Sequence, residues 1–101
     1  MTLASGIILP ADKIAEICRK YQVRELAVFG SAARGDLGPD SDIDVLVEFD
    51  TEARIGLFKF AAMEAELTAL LGRKVDLVSK PGLKPWILPH VLQDAKVVYA
   101  A

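Results

Sequence analysis

Phe29-Gly30-Ser31-Ala32-Ala33-Arg34-Gly35 opens a segment that closes, ten residues beyond Ser31 (32–41), on Asp42-Ile43-Asp44. Leu26-Ala27-Val28-Phe29 ahead of it reads as a short apolar strand that stops at Gly30. A strand passing through Gly-Ser into a helical turn exposes backbone N–H groups, and Gly30 lets a phosphate approach them with no side chain in the way. Ser31 either caps that turn or binds a phosphate oxygen, and its position serves both. Two aspartates at i and i+2 share one face of a strand and stand roughly 7 Å apart at the backbone. Like charges so placed repel, and a divalent cation bridging them removes the cost. With average residue usage, Gly-Ser at this fixed distance from Asp-x-Asp arises by chance on the order of once in a thousand chains of this length. The stretch therefore reads as a polyphosphate turn set beside a metal-binding carboxylate pair.

Working outward, Ile43, Val45, Val47 and Phe49 alternate with Asp42, Asp44, Leu46 and Glu48, which predicts a strand over 42–49 with an apolar back and an acidic front. Asp42 alone would read as the solvated end of the polar loop Gly38-Pro39-Asp40-Ser41. Asp44, inside the strand, does not. Downstream, Leu57, Phe60, Ala61, Leu67, Leu70 and Leu71 recur at helical intervals before Gly72, predicting a helix over 56–71 that packs on the sheet. Val75-Asp76-Leu77-Val78 follows as a strand. If Asp76 faces the same way as Asp42 and Asp44, three carboxylates converge.

Upstream, Pro10 suits a first helical turn, and Ile14, Ile17, Cys18 and Tyr21 place an amphipathic helix over 10–22. Cys18, on its apolar stripe with no basic neighbour on that face, reads as a small buried hydrophobe. At the other end, Pro85 to Asp94 reads as a helix disturbed by Pro89, and Lys96-Val97-Val98-Tyr99 as a closing strand. Trp86, Ile87, Leu88, Val91 and Leu92 are more apolar than a terminal helix needs. Either they present a partner face or they close the core beside Tyr99. His90 has no metal-ligand spacing to the cysteine and reads as a polar helix residue. Arg34 is either a surface cation or folds back onto phosphates. Strand and helix alternate throughout, which gives an α/β architecture without fixing the strand order.

Composition bounds the function. A chain of 101 residues reads as one domain, 1–101, with room for one core and none for a second substrate-binding domain. Twelve Lys+Arg against 14 Asp+Glu give a formal charge of -2, which argues against a long phosphate-tracking surface and so against direct nucleic-acid binding. The lone cysteine forms no internal disulfide, the N-terminus lacks signal-peptide features, and no apolar run approaches the roughly 20 residues of a membrane span. A cytoplasmic protein with no membrane role is the expectation.

The stretch GSAARGDLGPDSDIDVLVEF, with LGRKVDLV and VVYA after it, resembles the minimal nucleotidyltransferases, small members of the DNA polymerase β-like superfamily, over essentially the whole chain. The resemblance implies a small mixed sheet flanked by helices. It also implies that Gly30 and Ser31 bind a nucleoside triphosphate, that Asp42 and Asp44 hold Mg²⁺, two ions in all, and that Asp76 is the third carboxylate. Arg34 matches the arginine that commonly follows the Gly-Ser. The implied reaction is Mg²⁺-dependent transfer of AMP from ATP with release of pyrophosphate. ATP is favoured through the family alone. The resemblance extends to MntA-type antitoxins of two-gene modules, which are paired with a HEPN ribonuclease toxin and add AMP to one of its tyrosines. A partner carrying the acceptor would explain the missing domain. Two rivals stand beside this reading: an antitoxin that neutralises by binding alone, and a transferase acting on a small molecule or an RNA end. Homo-oligomerisation is left open.

Overall fold

Pro10 sets the first helix. The computed structural model describes residues 1–36, 38 and 41–101, and in it α1 spans Ala11–Lys20 with Pro10 as its N-cap, the Pro10 carbonyl accepting from the Ile14 amide at 3.0 Å. Asp12 in its first turn and Arg19 and Lys20 in its last complement the helix dipole. Its apolar stripe buries Ile14 and Cys18, as the sequence spacing predicts.

Four strands follow: β1 (Val23–Phe29), β2 (Ile43–Phe49), β3 (Val75–Ser79) and β4 (Lys96–Ala100). They form one sheet in the order β3-β2-β1-β4, with β1 antiparallel to β2 and β4 and with β2 parallel to β3. Parallel pairing cannot be closed by a tight hairpin. The crossover here is α3 (Leu57–Leu71), which leaves β2 through the turn at Asp50 and returns through Gly72, a left-handed C-cap with φ +67°. The sheet is therefore mixed and flanked by helices, as the family resemblance implies.

β1 begins three residues before the expected Leu26. A bulge between Val23 and Glu25 sets Val23 opposite Phe49 and Glu25 opposite Glu48, so two steps along β1 match one along β2. That shift puts Val23 on the same face as Leu26 and Val28. These join Ile43, Val45, Val47, Val75 and Leu77 under α1 and α3 in the main core, with Met63 and Leu67 from α3. Leu57 and Ala61 are exceptions to the expected α3 packing: Ala61 is exposed and Leu57 is 80% exposed. The helix carries apolar residues around most of its circumference, so periodicity did not single out the buried stripe, whose centre is Met63. The side chains of α3 also reach the outer edge of β3. Thr68 Oγ1 accepts the Val75 amide at 3.1 Å, and Glu64 Oε2 accepts the Leu77 amide at 2.8 Å.

The opposite face of the sheet carries a second, smaller cluster: Ala27, Leu46 and Val91, with Phe29, Leu83 and Ala95 against it. Its cover is α4 (Leu88–Asp94). The sequence placed this helix from Pro85 and had Pro89 disturb it. In the fold 85–87 form a turn and Pro89 lies in the first turn of α4, where a missing amide hydrogen costs no helical bond. Val91 alone of α4 is buried. Trp86, Ile87 and Leu92 stay 67%, 41% and 46% exposed, so they do not close the core, and Tyr99 packs on the other face. His90 is exposed. Pro39 and Asp40, from the polar loop expected ahead of Asp42, lie outside the described residues.

Candidate active site

Three strand ends meet at one end of the sheet. β1 exits at Phe29, β2 starts at Ile43 beside it in antiparallel register, and β3 starts at Val75 beside β2 in parallel register. Asp44 is consequently flanked by Phe29 on one side and by Asp76 on the other. Register neighbours point to the same face. Asp44 and Asp76 thus share the face that also carries Leu46, and Asp42, two residues before Asp44, joins them. Register thus puts Asp44 and Asp76 on one face with Asp42 just ahead of β2, and the charges of Asp76 and Asp42 both act on Asp44.

The turn after β1 abuts this group. Gly30 adopts φ +69° and ψ -148°, and a Cβ built on it would stand 2.5 Å from Asp44 Oδ2. An L side chain there would strain the backbone and displace that oxygen. Gly30, not Ser31, is the N-cap of the four-residue helix α2 (Ser31–Arg34), and no side chain caps that helix. The Ala33 and Arg34 amides return to the Gly30 carbonyl at 3.1 and 3.0 Å. Of the two roles open to Ser31 in the sequence, capping is not the one the turn uses.

Electrostatics single out Asp44. Partial burial raises its carboxyl above the ordinary aspartate value, the charges of Asp76 and Asp42 raise it further, and Arg34 lowers it. Of the three carboxylates it is Asp44 that is held partly away from water. Asp76 is exposed, while Asp42 keeps 41% of its side-chain surface and faces Lys74 Nζ at 3.8 Å. Among the described residues no group of three or more His, Cys, Asp or Glu side chains is placed to hold a metal ion together. Mg²⁺ does not ask for one. It is commonly held by one or two carboxylates, with substrate phosphates and waters filling the remaining positions.

Arg34 is a surface cation, as one of the two readings had it. Its side chain is half-exposed and ion-paired to Asp94 of α4 at 2.8 Å and to Asp36 at 3.4 Å, yet its charge is felt at Asp44. Sequence reasoning missed Arg73. Its Nε and Nη2 donate to the Ser41 carbonyl at 3.3 and 3.2 Å, and Nη2 also donates to the Gly38 carbonyl. The one local signal was a long cation directly after the helix-ending Gly72. A cavity of about 700 Å³ lies elsewhere, where β2 ends, lined by Phe49, Ile55, Leu57 and Phe60 among others. None of the carboxylates above lines it.

The nucleotidyltransferase domain model matches residues 11–98. This chain belongs to the nucleotidyltransferase domain family. It is accordingly an enzyme that transfers nucleotidyl groups. Among curated proteins, this nucleotidyltransferase is 48% identical over 92 residues to the protein adenylyltransferase MntA of Thermococcus cleftensis, covering 91% of this chain and 88% of that one. Among solved structures it matches one provisionally described as a minimal nucleotidyltransferase, with a TM-score of 0.73 and 36% identity over 85% of this chain and 86% of that one. It also matches a chain from a complex of a tri-AMPylated Shewanella oneidensis HEPN toxin with an MNT antitoxin. That match has a TM-score of 0.66 and 20% identity, covering 90% of this chain and 70% of that one, and it bears on the fold.

Proposed function

We propose that this nucleotidyltransferase transfers AMP from ATP to a protein hydroxyl, a tyrosine of a cognate HEPN ribonuclease toxin, and so acts in the cytoplasm as the antitoxin. The observation that carries the reading is the abutment of Gly30 on Asp44, a phosphate-sized turn against a carboxylate cluster. The curated relative supports protein as the acceptor class, and the AMPylated toxin of the structural neighbour supports the partner.

The donor set fits Mg²⁺: Asp42 and Asp44 are hard oxygen ligands close together, and Asp44 is raised first by partial burial and then by the charges of Asp76 and Asp42. Bound there, Mg²⁺ would supply neutralisation of the triphosphate and, with a second ion, a more acidic acceptor hydroxyl. Gly30 and the Ser31 amide admit and orient the phosphates. Arg34 exchanges its exposed ion pairs for phosphate oxygens. Asp76, the exposed member, either shares the second ion or takes the acceptor proton. The acceptor oxygen bonds to the α-phosphorus, the bond from that phosphorus to the bridging oxygen breaks, and pyrophosphate carries off the electron pair.

The test is incubation with Mg²⁺, α-labelled ATP and the co-expressed product of the neighbouring gene, beside the Asp42→Asn/Asp44→Asn double variant. A labelled protein band made by the wild type alone is expected. Label in RNA would redirect the reading to an end-modifying transferase. No label despite tight co-purification would favour neutralisation by binding.

A further inference from the structure

Asp42 is the one of the three carboxylates that lies outside a strand, just ahead of β2. Its two neighbours are nonetheless held, and by one dipeptide. On the N-terminal side, the Ser41 carbonyl accepts from both Nε and Nη2 of Arg73, at 3.3 and 3.2 Å. On the C-terminal side, the Ile43 amide donates to the Lys74 carbonyl at 2.9 Å. Arg73 Nη2 also donates to the Gly38 carbonyl, and Gly38 is in turn closed onto Ser41: the Ser41 amide reaches the Gly38 carbonyl at 3.2 Å, and Ser41 Oγ accepts the Gly38 amide at 3.2 Å. One planar guanidinium therefore spans the Gly38 and Ser41 carbonyls ahead of Asp42. Arg73 is itself anchored, following Gly72 at the end of α3 and preceding β3.

We propose that Arg73 is a positioning residue for Asp42. By fixing the carbonyl that precedes Asp42, it sets the direction in which that carboxylate leaves the backbone, and so its placement relative to Asp44. The inference rests on the reading of Asp42 as a metal ligand. Lys74 is the weaker half of the device, since its Nζ–Oδ2 contact is 3.8 Å long with the lysine 75% exposed. Arg73 differs because a fork of rigid donors fixes an angle, which a flexible ammonium does not.

The test is calorimetric Mg²⁺ titration of the full chain in the presence of α,β-methylene-ATP, an analogue whose α–β bond does not cleave, with binding of the analogue in EDTA as the second readout. Wild type, Arg73→Lys, Arg73→Ala and Asp42→Asn are compared, with circular dichroism to verify folding. Loss of a group that orients a metal ligand costs on the order of 10- to 100-fold in metal affinity. Arg73→Ala is expected to weaken Mg²⁺ about tenfold, Arg73→Lys by less, and neither to change analogue binding in EDTA. A merely structural arginine would lower thermal stability and leave the Mg²⁺ midpoint in place. If Asp42→Asn weakens Mg²⁺ and Arg73→Ala does not, the positioning role is overturned while the carboxylate reading stands. If Asp42→Asn leaves Mg²⁺ affinity intact, both fall. Should Arg73→Ala fail to fold, Arg73→Lys carries the comparison, and wild-type Mg²⁺ affinity in it overturns the proposal.

Discussion

Gly30→Ala tests the junction between the Gly30 turn and the carboxylates. Two separate costs arise there. A non-glycine residue at φ +69° and ψ -148° occupies a backbone region that costs of order 1–3 kcal/mol. The new Cβ would also stand 2.5 Å from Asp44 Oδ2, whereas real Cβ contacts do not fall below 3.0 Å, so the oxygen must retreat by at least 0.5 Å (3.0 less 2.5). A carboxylate can swing aside, and most of the stability loss therefore comes from the backbone. About 2 kcal/mol corresponds to a fall in Tm of roughly 8–16 °C for a domain near this size. The displaced oxygen acts on chemistry instead. Misplacement of a reacting group by about 1 Å costs on the order of 100-fold, so a loss of 10- to 100-fold in kcat/KM for AMP transfer is expected. The two costs separate in an Asp44→Ala background. There the nearest remaining atom, the Asp44 Cβ, is at 3.6 Å, an ordinary contact, and Gly30→Ala should lose only its backbone part. Thermal unfolding of the four proteins closes the cycle. A Gly30→Ala protein with wild-type Tm and wild-type transfer would refute both the left-handed backbone and the contact.

Asp44→Asn should abolish transfer yet raise the Tm of the metal-free protein at neutral pH. The Asp44 carboxyl is raised in the fold by burial and by Asp76 and Asp42, so its ionisation opposes folding. That penalty is absent below the unfolded value of about 3.9, where both states are protonated, and grows as pH rises through the folded value. The Tm gap between variant and wild type should therefore close in acid, and Mg²⁺ should stabilise the wild type more than the variant; an unchanged gap across the pH range would count against the cluster. Met63→Ala should lower stability by about 2–5 kcal/mol in urea titrations, because Met63 is fully buried at the centre of α3. Burial pushes the Cys18 thiol up to about 12, against a smaller pull downward from Arg19, so iodoacetamide should label it only as the protein unfolds. Fast labelling of the native protein would contradict that burial.

The sequence made the central pieces legible because their signals are local. Gly30-Ser31, the alternation from Ile43 to Phe49 and Val75-Asp76-Leu77 each carry their meaning within a few residues, and the registers of β2 with β1 and β3 then bring them together. Other features depend on partners far along the chain. The bulge in β1 answers to β2, and it moved the strand start to Val23. The exposure of Leu57 reflects an α3 that is apolar all round, so spacing could not choose its buried stripe. The two-faced sheet, with Leu46 and Ala27 buried under α4, made Leu46 more than a member of an acidic front. The Arg73 clamp joins residues 32 and 35 positions apart through backbone carbonyls, which carry no side-chain identity to read.

Thr68 and Glu64 have a consequence for assembly. By accepting the Val75 and Leu77 amides, they occupy two outward donors of β3, and a strand offered from another molecule meets an edge partly closed by its own helix. The more open flank is that of Lys96–Ala100, where among the described residues no fifth strand follows β4 in the sheet order. Asp76 is thereby positioned from within the chain, and whatever protein this enzyme meets can approach the carboxylates without having to complete the sheet that carries them.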